Sequence, residues 1–74
     1  MDNDIRDAID FYGFLLPLHE TISGEEFASR IKGYYSLEHP RNRYYYNVVK
    51  DRLVTVTRSR DGFSGKAIRT NQNQ

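Results

Sequence analysis

The spacing of the apolar residues changes near Leu53, and this change constrains the fold more than any other feature of the chain. Before Leu53, apolar side chains recur every three or four residues, as in helices with one buried face. From Leu53 to Arg58 the sequence LVTVTR alternates and is β-branched, which is typical of a half-buried strand. The sequence therefore predicts an α+β fold with three helices followed by a C-terminal β-hairpin.

The first predicted helix covers residues 4–16. Its apolar side chains form one stripe, and Pro17 prevents the helix from continuing. The stripe consists of Ile5, Ala8, Ile9, Tyr12 and Leu16. Residues 18–22 have a composition that allows a short strand before the second helix.

The second predicted helix covers residues 23–32 and has the strongest local signal. Ser23 and Glu26 have the spacing of a capping box, in which each side chain bonds the other residue's backbone N–H. Gly33 is expected to end the helix in a left-handed conformation. The buried face is predicted to consist of Phe27, Ala28 and Ile31.

The third predicted helix begins at Pro40, which suits a first turn, and runs to residue 52. Its helical period separates two faces. The inner face contains Tyr45, Val48, Val49 and Leu53. The outer face contains Arg43, Asn47 and Lys50, flanked by Tyr44 and Tyr46.

The register of the hairpin depends on the turn between its strands. The turn is predicted over residues 59–65 and the return strand over residues 66–70. A loop of odd length centred on Gly62 pairs Val56 with Ile68, whereas a two-residue turn pairs Val56 with Ala67. We favour the pairing with Ile68, or a bulge, because either keeps the apolar side chains on one face.

A chain of 74 residues with no cysteine holds one domain, predicted over residues 1–70, followed by a disordered polar tail over 71–74. Disulfides and thiolate metal sites are excluded, which predicts a reducing compartment and a cytoplasmic protein. No apolar run is long enough for a membrane span or a signal-peptide core. A domain this small buries only about 60% of its unfolded surface, which favours a partner subunit.

Charge is divided unevenly along the chain, although the net charge is only +1. Residues 1–29 carry seven Asp and Glu against one Arg, and residues 30–74 carry ten Lys and Arg against three Asp and Glu. This asymmetry points to one strongly positive face that binds a polyanion. The alternative is that the two halves neutralise each other within the fold or across a dimer.

The order of these elements resembles a winged helix-turn-helix DNA-binding domain. The likeness rests on the second-helix start Ile22–Ala28, the third helix around Arg43–Arg52 and the hairpin Val54–Arg69. The resemblance implies that the third helix enters the major groove and that the hairpin touches phosphates or the minor groove.

Arginine and asparagine read guanine and adenine edges through paired hydrogen bonds, and other cations contact phosphates. The predicted base contacts are Arg43, Asn47 and Tyr46. The predicted backbone contacts are Arg41, Lys50, Arg52, Arg58, Arg60 and Lys66. Two other interpretations stay open: the cations form an ordinary solvated face, or the tyrosines stack on single-stranded nucleic acid or RNA.

The sequence thus predicts a small, sequence-specific double-stranded DNA-binding regulator, either a transcription factor or a phage- or plasmid-type accessory factor. It is expected to act as a homodimer or a cooperative array, because one small domain reads too few base pairs. No enzyme activity, cofactor or metal is expected, since the two histidines are isolated. The alternative is a small protein-binding inhibitor or adaptor that uses its basic or acidic face.

Overall fold

The computed structural model describes residues 2–68, and the predicted tail lies outside them. The elements are α1 (Asn3–Tyr12), a 3₁₀ turn (Gly13–Leu15), β1 (Thr21–Ser23), α2 (Gly24–Tyr34), α3 (Pro40–Arg52), β2 (Leu53–Ser59) and β3 (Gly62–Ala67). The strands form one antiparallel sheet in the order β1-β2-β3. The α+β class and the three helices are confirmed. The sheet has a third strand, however, so it is more than a C-terminal hairpin.

Helix α1 is shorter than the predicted helix. Asp2 caps it, and its carboxylate accepts a hydrogen bond of 2.8 Å from the Ile5 amide. After Tyr12 the backbone tightens into the 3₁₀ turn, in which the Leu16 amide donates to the Gly13 carbonyl at 2.9 Å. Pro17 explains the change, because it has no N–H to donate to Gly13 and its ring would clash with that carbonyl in a continued helix.

Helix α2 begins as predicted but ends differently. The Glu26 amide donates to Ser23 Oγ at 3.0 Å, which confirms one half of the capping box. The Glu26 carboxylate turns instead to Arg30, whose Nε lies 3.1 Å away. Gly33 is an ordinary helical residue, so the predicted left-handed stop is wrong. The helix ends because Tyr35 adopts an extended conformation and packs its ring 5.1 Å from the Tyr12 ring.

Neither predicted hairpin register is correct. Ser59 pairs with Gly62 across a two-residue turn, and Val56 pairs with Gly65. The return strand therefore begins within the segment predicted as a turn. Phe63 explains this early start, since its ring lies against α1 and the 3₁₀ turn and would be only 2.8 Å from a Cβ placed on Gly13. Between Leu53 and Thr55 the ladder shifts by one residue, as in a β-bulge.

The core lies between the three helices and the inner face of the sheet. Its buried residues include every predicted apolar residue of α1 and α2, together with Val48, Val49, Leu53 and Val56. Tyr45 is half-buried against this core. Within the described residues, 2–68, no helix combines the length and apolarity needed to cross a membrane.

One hydrogen-bonded pair crosses the core between α1 and α3. The hydroxyl of Tyr12, which is 1% exposed, donates to Asn42 Oδ1 at 2.5 Å. Asn42 Nδ2 in turn donates to the Ser36 carbonyl at 3.0 Å. The pair therefore ties both helices to the connector after α2.

We expect Tyr12→Phe to lower the free energy of unfolding by about 1–3 kcal/mol, because it leaves the buried Asn42 oxygen without a donor. Urea melts followed by circular dichroism would measure the change. Tyr34→Phe is the matched control: Tyr34 is 75% exposed, and its change should stay within about 0.5 kcal/mol. Equal changes in the two variants would contradict a structural role for the Tyr12 hydroxyl.

Candidate nucleic-acid interface

The outer face of α3 carries the three polar residues that the sequence placed there. Arg43, Asn47 and Lys50 are all exposed, while Val48 and Val49 on the opposite side are buried. Helix formation is supported locally, because Pro40 occupies the first turn and His39 Nδ1 accepts from the Arg41 amide at 3.2 Å. The predicted division of this helix into an inner and an outer face is confirmed.

The two cations of this face, Arg43 and Lys50, both have neighbours within the molecule. Arg43 Nε donates to the Leu37 carbonyl at 2.9 Å, which ties the guanidinium to the connector. Lys50 Nζ lies 5.9 Å from the centre of the Tyr46 ring. Tyr46 is itself half-buried against the core, so only part of its ring is available for the base contact predicted for it.

A shallow depression of about 420 Å³ opens on this face. It is lined by Glu38, Pro40, Arg43, Tyr44 and Asn47. Tyr44 is oriented by α1, since its hydroxyl donates to Asp4 Oδ2 at 2.6 Å. That hydrogen bond is the main reason why the pKa of Tyr44 is raised above its ordinary value.

Two of the predicted phosphate contacts, Arg41 and Arg52, lie beside helix α1 and its cap. The Arg41 guanidinium carbon lies 4.6 Å from the centre of the Phe11 ring. Arg52 Nη1 lies 3.3 Å from Asp2 Oδ2 and 3.4 Å from Asp4 Oδ2, and the group is partly buried. Part of the acidic first segment is therefore neutralised by the basic half within one molecule.

The hairpin residues differ in how much of each side chain is available. Arg58 is half-buried, and its Nη1 donates to the Leu16 carbonyl at 3.2 Å. Its own carbonyl accepts from His19, a residue with a positive φ of 67°, so Arg58 fastens the loop after α1 to the sheet. Arg60 lies exposed in the turn, and Lys66 lies exposed on β3 opposite Thr55.

Of the nine predicted contact residues, the structure brings Arg43, Asn47 and Lys50 together on the outer face of α3, with Tyr46 half-buried beside them. Arg60 and Lys66 are exposed on the hairpin. Arg41, Arg52 and Arg58 contact α1, its cap or the segment after it. Sequence reasoning missed the contact of Arg52 with Asp2 and Asp4, which are 50 and 48 residues away. The uneven charge along the chain was the available signal, although it does not indicate which residues meet.

The outer face of α3 combines hydrogen-bond donors and a positive charge, which suits an anionic ligand with exposed acceptors. Within residues 2–68, no group of three or more histidines and carboxylates is arranged to hold a metal ion. Comparison with known proteins gives no match to a protein family, a curated protein or a solved structure.

Proposed function

We propose that this protein is a small sequence-specific DNA-binding regulator whose helix α3 enters the major groove of duplex DNA. One observation carries the proposal: Arg43, Asn47 and Lys50 are exposed on a single face, on successive turns of a 13-residue helix. The major groove admits an α-helix, and arginine and asparagine are side chains that distinguish its base edges. A winged-helix-like arrangement, with the β2–β3 hairpin as the wing, is part of this proposal.

The residues of this face have separate roles in the proposal. Arg43 and Asn47 read bases, since they can bond guanine and adenine edges respectively. The partly exposed Tyr46 ring contacts a neighbouring base. Lys50, together with Arg60 and Lys66 on the hairpin, contacts phosphates and positions the domain.

The cations that contact α1, its cap or the segment after it support the interface indirectly. Arg52 offsets one of the two negative charges of Asp2 and Asp4 at the start of α1, which reduces the repulsion that those carboxylates would exert on a nearby phosphate backbone. Arg41 and Arg58 pack against α1 and the loop after it. We therefore assign Arg41, Arg52 and Arg58 to positioning the fold and leave them out of the proposed contacts.

Fluorescence anisotropy with a labelled 20-base-pair duplex, a single strand of the same length and a series of salt concentrations would test the proposal. We expect duplex binding tighter than ~100 μM at ~50 mM salt, and stronger than binding to the single strand. With three phosphate contacts, the logarithm of the association constant should fall with the logarithm of the salt concentration with a slope of roughly −3. Duplex binding weaker than ~100 μM, or a preference for the single strand, would overturn it.

We expect Lys50→Ala to weaken binding to all duplexes alike and to reduce the magnitude of the salt slope by about one, because one phosphate contact is lost. Lys32→Ala is the matched control, since Lys32 is an exposed lysine on α2 and does not line the depression on α3. Arg43→Ala should instead mainly relax sequence preference. If Lys32→Ala and Lys50→Ala have the same effect, binding reflects overall charge and α3 does not dock specifically.

The alternative function, a protein-binding inhibitor or adaptor, is favoured by a different observation. Phe14 and Tyr34 expose large aromatic surfaces, which is uncommon on a surface that only faces water. That function predicts no duplex binding at ~50 mM salt, so the same titration separates the two functions.

A further inference from the structure

An aromatic patch lies where the 3₁₀ turn after α1 meets the C-terminal half of α2. We define it by Phe14, Leu15, Arg30 and Tyr34, which line a depression of about 320 Å³. Phe14 is 62% exposed and Tyr34 is 75% exposed, the two largest values among the apolar and aromatic residues that the structure describes. The Phe14 ring also contacts the half-buried Tyr35 ring edge-on, with ring centres 6.3 Å apart.

The one charged side chain of the aromatic patch, Arg30, already has partners. Arg30 Nε bonds the Glu26 carboxylate at 3.1 Å, and Arg30 Nη1 bonds the Leu15 carbonyl at 3.1 Å. The Glu26 carboxylate therefore balances the positive charge of Arg30. A partner that covers this surface would leave neither the Arg30 charge nor the Leu15 carbonyl unpaired, which lowers the cost of burying them.

We propose that the aromatic patch binds a second copy of this chain and forms a two-fold symmetric homodimer. A two-fold contact places the same patch on both sides, so the patch must fit itself. This patch contains both elements that such a fit needs, since two projecting rings flank a depression that can receive a ring. Its balanced charge also suits contact with an identical surface, whereas a charged partner would be matched by a patch of opposite charge.

The size of the aromatic patch agrees with the core of a modest interface. Phe and Tyr side chains each bury about 150–250 Å², so the exposed fractions of Phe14 and Tyr34 amount to roughly 300 Å² per protomer. A standard interface buries about 800 Å² per partner, with an apolar centre and a polar rim. The aromatic patch thus accounts for the apolar centre of such an interface.

The dimer would leave the proposed DNA-binding surface free. The depression at the aromatic patch shares no residue with the one on α3, which is lined from Glu38 to Asn47. Two α3 helices would then be available in one particle. The inference does not depend on DNA binding, because its test contains no nucleic acid.

Sedimentation equilibrium from about 1 μM to about 1 mM protein tests the proposal. We expect the average mass to rise from 8.7 kDa toward twice that value as concentration increases. Tyr34→Ser should raise the dissociation constant at least about tenfold, because it removes one ring from the centre of the interface. The variant should still fold, since Tyr34 lies at the end of α2 and is largely exposed.

Leu18→Ser is the control, because Leu18 is an exposed apolar residue outside the aromatic patch. It should leave the dissociation constant within about twofold of the unchanged protein, and circular dichroism should show that both variants are folded. A chain that stays monomeric up to about 1 mM would overturn the proposal, and a different protein would then be the expected occupant. A dimer that Tyr34→Ser leaves intact would also overturn it, since the contact would lie elsewhere.

Discussion

The Gly24→Ala variant is expected to be largely unfolded under conditions in which the unchanged protein is folded. A Cβ on Gly24 would lie 1.8 Å from the Leu53 carbonyl oxygen and 2.6 Å from the Leu53 carbonyl carbon. These are backbone atoms at the junction of α3 and β2, so no side-chain rotation relieves the contact. We expect the free energy of unfolding to fall by more than about 4 kcal/mol, which exceeds the usual effect of overpacking a core.

The matched control is the same substitution near the other end of the same helix. Gly33 is a helical residue, and a Cβ added there would meet no atom within 4 Å beyond its own helix backbone and chain neighbours. Gly33→Ala should therefore stabilise the protein by about 0.5–1 kcal/mol, because alanine loses less backbone freedom on folding. Chemical denaturation of the two variants, followed by circular dichroism, measures both changes.

We expect the two alanine substitutions to change the free energy of unfolding in opposite directions, a decrease for Gly24→Ala and an increase for Gly33→Ala. A loss below about 1 kcal/mol for Gly24→Ala would mean that α2 and the start of β2 are not in contact as described. A loss of similar size for Gly33→Ala would show instead that α2 tolerates no alanine for some reason other than the Leu53 carbonyl.

Features that depend on residues close in sequence could be predicted from the sequence. Pro40 and the alternation of inner and outer residues were sufficient to locate α3, and Ser23 located the start of α2. These signals act within one or two helical turns, where capping and periodicity determine the backbone. The positions of the three polar residues on the outer face of α3 could be predicted from the sequence for the same reason.

Features that depend on distant residues could not be predicted. Pairing of β1 with β2 joins Ile22 to Val56, and nothing in three residues of sequence indicates that partner. The predicted hairpin register was wrong because Phe63 belongs to β3 and packs beside Gly13 of the 3₁₀ turn, a contact that the turn composition does not show. The same limit applies to the candidate site, in which the contact of Arg52 with Asp2 changes its role.

The need for glycine at position 24 is the clearest case of this limit. In sequence, Gly24 is the residue after a helix cap, a position at which many residue types are acceptable. Its requirement arises only when Leu53 arrives beside it at the end of α3. Such a close approach of two backbones is a property of the folded chain, and the substitution pair tests it directly.

The second large effect is expected for Phe27→Ala, which should lower the free energy of unfolding by about 3–5 kcal/mol. Phe27 is one of the largest fully buried side chains in the part of the chain that the structure describes, and it belongs to the core cluster. Its removal loses the transfer free energy of the ring and leaves a cavity that the surrounding helices fill only in part.

This loss is large relative to the whole stability of the protein. A domain of 74 residues is expected to have about 4–11 kcal/mol of total stability, so Phe27→Ala removes about a quarter of it or more. Phe63→Ala provides the matched control, because Phe63 is partly exposed at the edge of the sheet. This substitution should lower the free energy of unfolding by only about 1–2 kcal/mol.

Both phenylalanine variants should be melted in urea at one fixed protein concentration, since self-association would raise the apparent stability of a folded dimer. The midpoint for Phe27→Ala should fall well below that for Phe63→Ala, without a change of slope if unfolding remains two-state. Equal midpoints would mean that the face of α2 carrying Phe27 does not form the centre of the core. A loss under about 1 kcal/mol for Phe27→Ala would contradict the position of α2 against α1 and α3, on which the exposure of the outer face of α3 depends.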